Sequence, residues 1–313
     1  MLSSIDIDEA LVSALKPNRS EQGHKGNFGR LLIYAGSKGM GGAAILATGA
    51  ALRSGVGLVF VLSPDEIQSA LMTRCPEAMQ LQIPSNQTEN SRPKLMPLVA
   101  HVEYPKENWF ASMIVEKDAV LMGPGLATER VDVKENLPIA IAQARHLVLD
   151  AGALSVLAAS GQQQAWLTSR VESGLAPAVL TPHMGEFQRL LPGWKMGDLA
   201  AAGAFAKENH VILVLKSNET NIFTPSGKWY SNHVSNSGLA KGGSGDVLSG
   251  LLTGLLATGM TEEAAAIAAV KIHSMAGEQA RAEHGAYAML PSMLWDYLEV
   301  CYHKLQWEKG SET

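Results

Sequence analysis

Arg30 to Leu62 reads "RLLIYAGSKGMGGAAILATGAALRSGVGLVFVL". Two short apolar runs, "RLLIYA" (30–35) and "GLVFVL" (57–62), flank a helix-like segment from Gly42 to Ser54. Neither run alternates apolar with polar residues, so each predicts a strand buried on both faces, as in a parallel sheet. Comparable runs follow: "AVLM" (119–122), "LVLD" (147–150), "AVLT" (178–181) and "VILVL" (211–215). Further helix-like segments, Pro138 to Arg145 and Asp198 to Asn209, lie between them. Strand and helix in alternation predict an α/β fold with a central, mostly parallel sheet. The last third changes character, since Gly245 to Gln279 is nearly all helical in pattern. Within it Met260 to Arg281 begins with Thr261 as N-cap and two glutamates in the first turn.

With 313 residues, 46% of them hydrophobic, the chain has ample length for a core. No repeat and no composition shift forces a boundary, so a single domain over 1–313 is expected. Residues 1–23 read as an N-terminal extension and 306–313 as a flexible tail. Residues 85–108 are polar and proline-containing, which reads as a surface excursion. A net charge of -5 gives no basic footprint for nucleic acid. No run of about 18 apolar residues predicts a membrane span, and the first residues carry acids rather than a basic-then-apolar signal. Cys75 and Cys301 are too few for a disulfide framework or a cysteine metal site. The nine histidines show no metal-binding spacing. A cytoplasmic location is the simplest expectation.

Polar loops follow the predicted strands: "GSKGMGG", "GPG", "DAGA", "TPHMGE" and "KSNET". In open α/β sheets ligands sit outside the carboxyl ends of the strands, so these loops predict one shared site. A sixth stretch, "SNSGLAKGGSGDVLSGLLTGLLATG" (Ser235 to Gly259), puts glycines and Asp246 just ahead of an apolar helix. One reading makes Asp246 a helix cap and Gly250 and Gly254 a packing device. The other uses the free N–H groups at the helix start as an anion site, with Asp246 as a base for a hydroxyl attacking phosphate. Lys216 leaves a buried strand, where an ammonium calls for an anion, and a phosphate contact is expected. His183 stands at the sheet edge, and Glu186 charges a helix start favourably. Asp150 either caps the next segment or faces the site. His24 and Lys25 read as a solvated basic pair, and His273 and Met275 as core or surface fill. Gly39, Gly41 and Ala44 fit a dinucleotide fingerprint only at the wrong distance from the strand. No P-loop motif occurs, which excludes that ATPase class.

Taken in order, "HKGNFGRLLIYAGS", "GGAAILATGAALRSGVGLV", "PEAM", "GPGL", "LVLDAGAL", "LTPHMGEF", "LKSNET", "GLAKGGSGDVLSG" and the tail "HSMAGEQA" resemble the ADP- or ATP-dependent NAD(P)H-hydrate dehydratases. That family lies in the ribokinase-like superfamily, with helices on both faces of the sheet. The resemblance implies a substrate with water added at C6 of the nicotinamide ring. The ring hydroxyl is phosphorylated and phosphate then leaves, restoring NADH or NADPH. It assigns Asp246 as the base and Gly243, Ser244 and Gly245 as the anion hole. Ala43, Gly125 and His183, with Asp246, match positions contacting the hydrated cofactor. Lys216, Ser217, Asn218, Glu219, Thr220 and Gly245 match positions holding the adenine nucleotide. Mg2+ is expected on the diphosphate, ADP rather than ATP as donor, a homotetramer, and a separate epimerase acting on the two hydrate epimers. Asn27, Phe28, Ser217 and Ser237 depart from the commoner family pattern, and Ser217 adds a side chain beside the nucleotide loop. Two other readings share parts of this pattern. One is a kinase of the same fold acting on a vitamin-precursor alcohol, and the other is a non-catalytic adenylate-binding protein. A third, a dehydrogenase, is disfavoured by the misplaced fingerprint.

Overall fold

A computed structural model describes residues 3–83 and 109–308. The expected surface excursion at 85–108 lies outside them. Ten strands form one sheet: β1 (Ile5–Asp6), β2 (Arg30–Tyr34), β3 (Leu58–Ser63), β4 (Met79–Gln82), β5 (Ala119–Met122), β6 (His146–Leu149), β7 (Val179–Leu180), β8 (Ile212–Leu215), β9 (Thr220–Phe223) and β10 (Trp229–Asn232). Their spatial order is β1-β10-β9-β8-β7-β6-β5-β2-β3-β4. Every pairing is parallel except the two made by β9. All six strands expected from the sequence are present. The other four escaped because they are two-residue edges or polar, as in "MQLQ" and "WYSN".

The helices are α1 (Glu9–Ser13), α2 (Gly41–Leu52), α3 (Asp65–Arg74), α4 (Trp109–Val115), α5 (Val131–Gln143), α6 (Ala151–Ala159), α7 (Gln163–Glu172), α8 (Met184–Leu190), α9 (Leu199–Glu208), α10 (Ser244–Ala257), α11 (Glu262–Ala288) and α12 (Leu294–Lys304). Successive residues of β2 serve opposite faces. Leu31 and Ile33 pack with α2, α10, α11 and α12, while Leu32 and Tyr34 pack with α4 through α9. Helices therefore cover both faces, which is why the strands carry apolar residues at every position. α5 starts at Val131, not at Pro138, and holds that proline inside it. The N-terminal stretch also joins the body, since β1 pairs with β10. Trp307, inside the expected tail, is buried, and its Nε1–H donates to the Val12 carbonyl at 3.1 Å.

Strands β2 to β4 run toward one edge of the sheet and β5 to β8 toward the other, so the order reverses between β2 and β5. That reversal opens a crevice outside the carboxyl ends of β2 and β5, the usual place for a ligand. α10 lies beneath it, packed on α2 and across β2, β5 and β6. Gly250 permits this approach, because a Cβ there would come within 2.1 Å of the Ala47 carbonyl oxygen.

Candidate active site

The glycine-rich segment enters α10 with Gly243 as N-cap, at φ +105°, a backbone region that side chains rarely adopt. A Cβ there would also meet Leu46 at 2.4 Å. Having no side chain to cap with, Gly243 leaves the helix start open. Among the described residues no protein acceptor takes the N–H groups of Gly245 and Asp246. The hydroxyl of buried Ser244 also has no hydrogen-bond partner. Two free amides at the positive end of a 14-residue helix, beside an unpaired hydroxyl, suit an anion. The Ser244 carbonyl, in turn, is held at 3.0 Å by Nε2 of buried His273. Burial pushes that imidazole down to about 4, so the ring is neutral and Nε2–H donates. His273 is therefore buried, as the core reading had it, and it also braces the helix mouth.

Asp246 sits at the third position of α10, and its carboxylate makes no hydrogen bond among the described residues, so it is not the helix cap. Its pKa is pushed up to about 7, first by burial, then by the charge of Asp150, with Lys216 opposing and Glu186 adding. Lys216 follows β8, and its Nζ donates to Asp150 Oδ1 at 2.9 Å. The anion beside this lysine is a carboxylate of the protein, and Lys216 also lines the cavity described below. Burial opposes the ammonium, yet Asp150 beside it holds the Lys216 pKa above the ordinary lysine value. Gly245 gives the ammonium room, since a Cβ there would stand 3.0 Å from Nζ. Asp150 fills both roles left open by the sequence, because Oδ1 also accepts from Ala151 N at 2.9 Å and caps α6.

His183 caps α8. Its Nδ1 accepts from Gly185 N at 3.0 Å and Glu186 N at 3.3 Å, and the Glu186 carboxylate accepts from His183 N at 2.9 Å. This reciprocal box leaves Nε2 as the ring nitrogen that carries the proton in the neutral form. Sheet pairing continues past β7 and β8 and sets His183 beside Lys216.

A cavity of about 650 Å³ opens here, lined by His183, Lys216, Ser217, Asn218, Thr220, Ser244 and Gly245 among others. His273, Asn236 and Lys241 line it too, and sequence reasoning missed all three in this role. Lys241 Nζ donates to the Tyr287 and Met289 carbonyls, which ties the glycine segment to the end of α11. Asn236, from the "NSG" departure, uses its side chain internally, donating to Gly277 O and accepting from Gly238 N. Glu219 does not line the cavity; its carboxylate lies 3.4 Å from His233 Nδ1 in the outer part of the turn. Ser217 Oγ donates to the Glu219 carbonyl, so the added side chain is absorbed by its own loop.

Ala43 and Gly125 lie outside that lining and form their own contact at the β2–β5 crevice. A Cβ on Gly125 would meet the Ala43 Cβ at 2.9 Å and the Met40 carbonyl oxygen at 2.6 Å. Ser37 Oγ donates to the Gly125 carbonyl at 2.6 Å, and Gly36 N to the Pro124 carbonyl at 2.8 Å. Gly123 then abuts the Asp150 backbone and connects this crevice to the Lys216 pair. The "HKGNF" segment is elsewhere. It forms a 3₁₀ turn before β2, where Gly29 abuts the Ala257 carbonyl at the far end of α10. Fourteen helical residues put it about 20 Å from the Asp246 mouth. Asn27 serves there as a cap partner, its Oδ1 accepting from His24 N at 3.1 Å.

An open helix start and a lysine line one cavity, and a half-buried carboxylate raised to about 7 follows Gly245 in α10; in an α/β fold this arrangement suits phosphoryl transfer. A family model described as NAD(P)H-hydrate dehydratase matches residues 31–299, and the chain belongs to that family. It is 36% identical over 301 residues to the bifunctional NAD(P)H-hydrate repair enzyme of Moorella thermoacetica, covering 93% of this chain and 52% of that protein. The chain thus spans about half the length of the first curated relatives it matches. It is 32% identical to the ADP-dependent (S)-NAD(P)H-hydrate dehydratase of Lactococcus lactis, over 96% of this chain and 98% of that one. The solved ADP/ATP-dependent NAD(P)H-hydrate dehydratase of Bacillus subtilis, co-crystallised with ATP and Mg2+, superposes with a TM-score of 0.75 at 27% identity. That match covers 98% of this chain and all of the other. The fold is the ribokinase-like one expected from the ordered motifs.

Proposed function

We propose that this chain restores NADH and NADPH from their C6-hydrated forms, with ADP as phosphoryl donor. The observation that carries the reading is Asp246, an unpaired carboxylate raised to about 7 beside two free helix-start amides. Hydroxide is a poor leaving group, so the ring hydroxyl must first be converted to a phosphate ester. The hydroxyl proton passes to Asp246 while its oxygen attacks the terminal phosphorus of ADP, and AMP departs. The amides of Gly245 and Asp246 and the Ser244 hydroxyl receive the charge that spreads over the transferring oxygens. The C6–O bond then breaks with its electron pair on phosphate, and loss of a proton from the neighbouring ring carbon restores the dihydronicotinamide.

Crevice and cavity divide the two ligands. Ala43 and Gly125 suit close backbone approach by the hydrated cofactor, with His183 at the boundary. Lys216, Ser217, Asn218, Thr220 and Gly245 suit the nucleotide; the Glu219 backbone, bonded to Ser217 and Asn221, shapes that turn. Among the described residues no group of three acidic, histidine or cysteine side chains is arranged to hold a metal. The donor set therefore fits an ion that arrives on the diphosphate and takes phosphate oxygens as ligands. Bound there, Mg2+ would neutralise charge on the transferring group. The relatives named as ADP-dependent support ADP over ATP. Among the described residues no helix is long and apolar enough to cross a membrane. A cytoplasmic homotetramer working beside a separate epimerase completes the reading; the repair relatives of twice the length are named bifunctional.

The test compares wild type with Asp246→Asn on hydrated NADH plus ADP. The expected outcome is a loss of turnover of about 10³-fold with ADP binding retained. Near-normal turnover in the variant would remove Asp246 as the base, and accumulation of a phosphorylated product would favour the kinase reading.

A further inference from the structure

The carboxylate that pairs with Lys216 has no part in the reaction just described, yet it is almost wholly enclosed. Asp150 is 2% exposed at its side chain and Lys216 18%. Its setting is also strained. Ala151, the first residue of α6, has φ +45°, a conformation that a residue with a Cβ rarely adopts. A helix cap alone does not require this, because aspartate caps the starts of α1 and α9 with the following residues in ordinary helical conformation. The left-handed residue turns the chain so that one oxygen, Oδ1, accepts from both Ala151 N and Lys216 Nζ.

The ammonium has a second carboxylate within reach of its field. A Cβ built on Gly245, the residue before Asp246, would stand 3.0 Å from Nζ, and the charge of Asp246 acts on the ammonium. A lysine bonded to Asp246 would hold that carboxylate ionised and quench its basicity. We propose that Asp150 is a positioning residue that, acting through Lys216, draws the ammonium away from Asp246 and leaves that carboxylate free to accept a proton. The groups facing Asp246 are Asp150 from the end of β6, Lys216 from the end of β8 and Glu186 from α8. His273 of α11 lies on the far side of Ser244 and stays neutral through burial. Removing the Asp150 charge takes away a like charge that raises Asp246, and releases a cation that lowers it. Both changes act in the same direction, downward.

This inference rests on the reading of Asp246 as the base, and its test separates the two. Protein labelled with carbon-13 at aspartate carboxyls is titrated by NMR, with the Asp246 resonance assigned by its loss in Asp246→Asn. Wild type is compared with Asp150→Asn and Asp150→Ser, both of which keep a capping oxygen without the charge. The Asp246 midpoint is expected to fall by about one pH unit or more in both variants. The acid limb of kcat/KM on hydrated NADH and ADP is expected to move by the same amount, and the plateau to fall. An Asp246 midpoint that stays put or rises while activity drops at every pH would overturn the proposal and leave Asp150 a helix cap. If wild type turns over no hydrated NADH, the functional reading fails, and the carboxyl titration still decides the coupling. Should both variants fail to fold, Lys216→Met in the same titration is expected to raise the Asp246 midpoint. An unmoved midpoint there overturns the coupling.

Discussion

At Asp246, stability and reactivity pull in opposite directions, because the carboxylate is half-buried and no hydrogen bond supports its charge. Its pKa is raised from 3.8 to about 7 on folding. Below about 4 both folded and unfolded chains hold the proton, and the group costs nothing. Between about 4 and 7 the unfolded chain ionises first, and above 7 the penalty is complete. Asp246→Asn is therefore expected to raise Tm by a few degrees at pH 8 and to leave it almost unchanged at pH 4, as differential scanning calorimetry would show. The same ionisation sets activity, so turnover should rise through an acid limb near pH 7. Asp246 was legible in the sequence because glycines ahead of an apolar helix start leave amides open. Asp150 was legible as a cap or a site residue but not as the partner of Lys216, since a lysine leaving a buried strand demands an anion without saying whose. His273 was hidden for a related reason: its partner is a backbone carbonyl 29 residues away, and no spacing records that contact.

Among the elements, α10 does the most, carrying the anion site at its start and filling the crossing with α2 along its length. Gly250→Val would drive a branched side chain onto the Ala47 carbonyl, where even a Cβ would stand at 2.1 Å. The expected cost is about 1–3 kcal/mol in denaturant unfolding, with activity lost through displacement of the helix start. An unchanged unfolding midpoint would mean that α2 and α10 are less tightly apposed. Arg170 of α7 holds a second junction, with no carboxylate partner among the described residues. It donates to the carbonyls of Ile141, Ala144, Arg145 and Ala176, joining the end of α5 to the approach to β7. Burial lowers its pKa to about 10, with Glu262 opposing. Arg170→Met is expected to cost about 3 kcal/mol or more, because buried carbonyls lose their donors. Strands apolar at every position were readable from composition alone. β9 and β10 were not, because their pairing depends on the reversal at 216–219 rather than on an apolar run. The start of α5 was misplaced because a proline suggests a first turn, whereas Pro138 sits mid-helix.

Over the whole molecule, the sheet order brings separate loops to one edge, as a crevice after β2 and β5 beside a cavity after β7 and β8. The loops after β2, β5, β6, β7 and β8 meet because those strands are neighbours and parallel. The sixth loop joins them because α10 runs beneath the same edge. "HKGNF", whose His24 and Lys25 read as a solvated basic pair, has both of them exposed and sits at the opposite end of α10 from the glycine segment. Nearness in a motif list does not give nearness in space. If the cavity at the carboxyl edge holds nucleotide, ADP at a hundred times its Kd should stabilise the fold by about 2.7 kcal/mol. Thermal unfolding would read this as a Tm several degrees higher, and Asp246→Asn should keep that shift. The most direct measurement incubates the protein with hydrated NADH and ADP and follows the absorbance of the dihydronicotinamide ring together with AMP and phosphate. Recovery of NADH with one AMP and one phosphate per ring restored is the predicted result. A folded, nucleotide-binding protein that restores no NADH with ADP or ATP would contradict it.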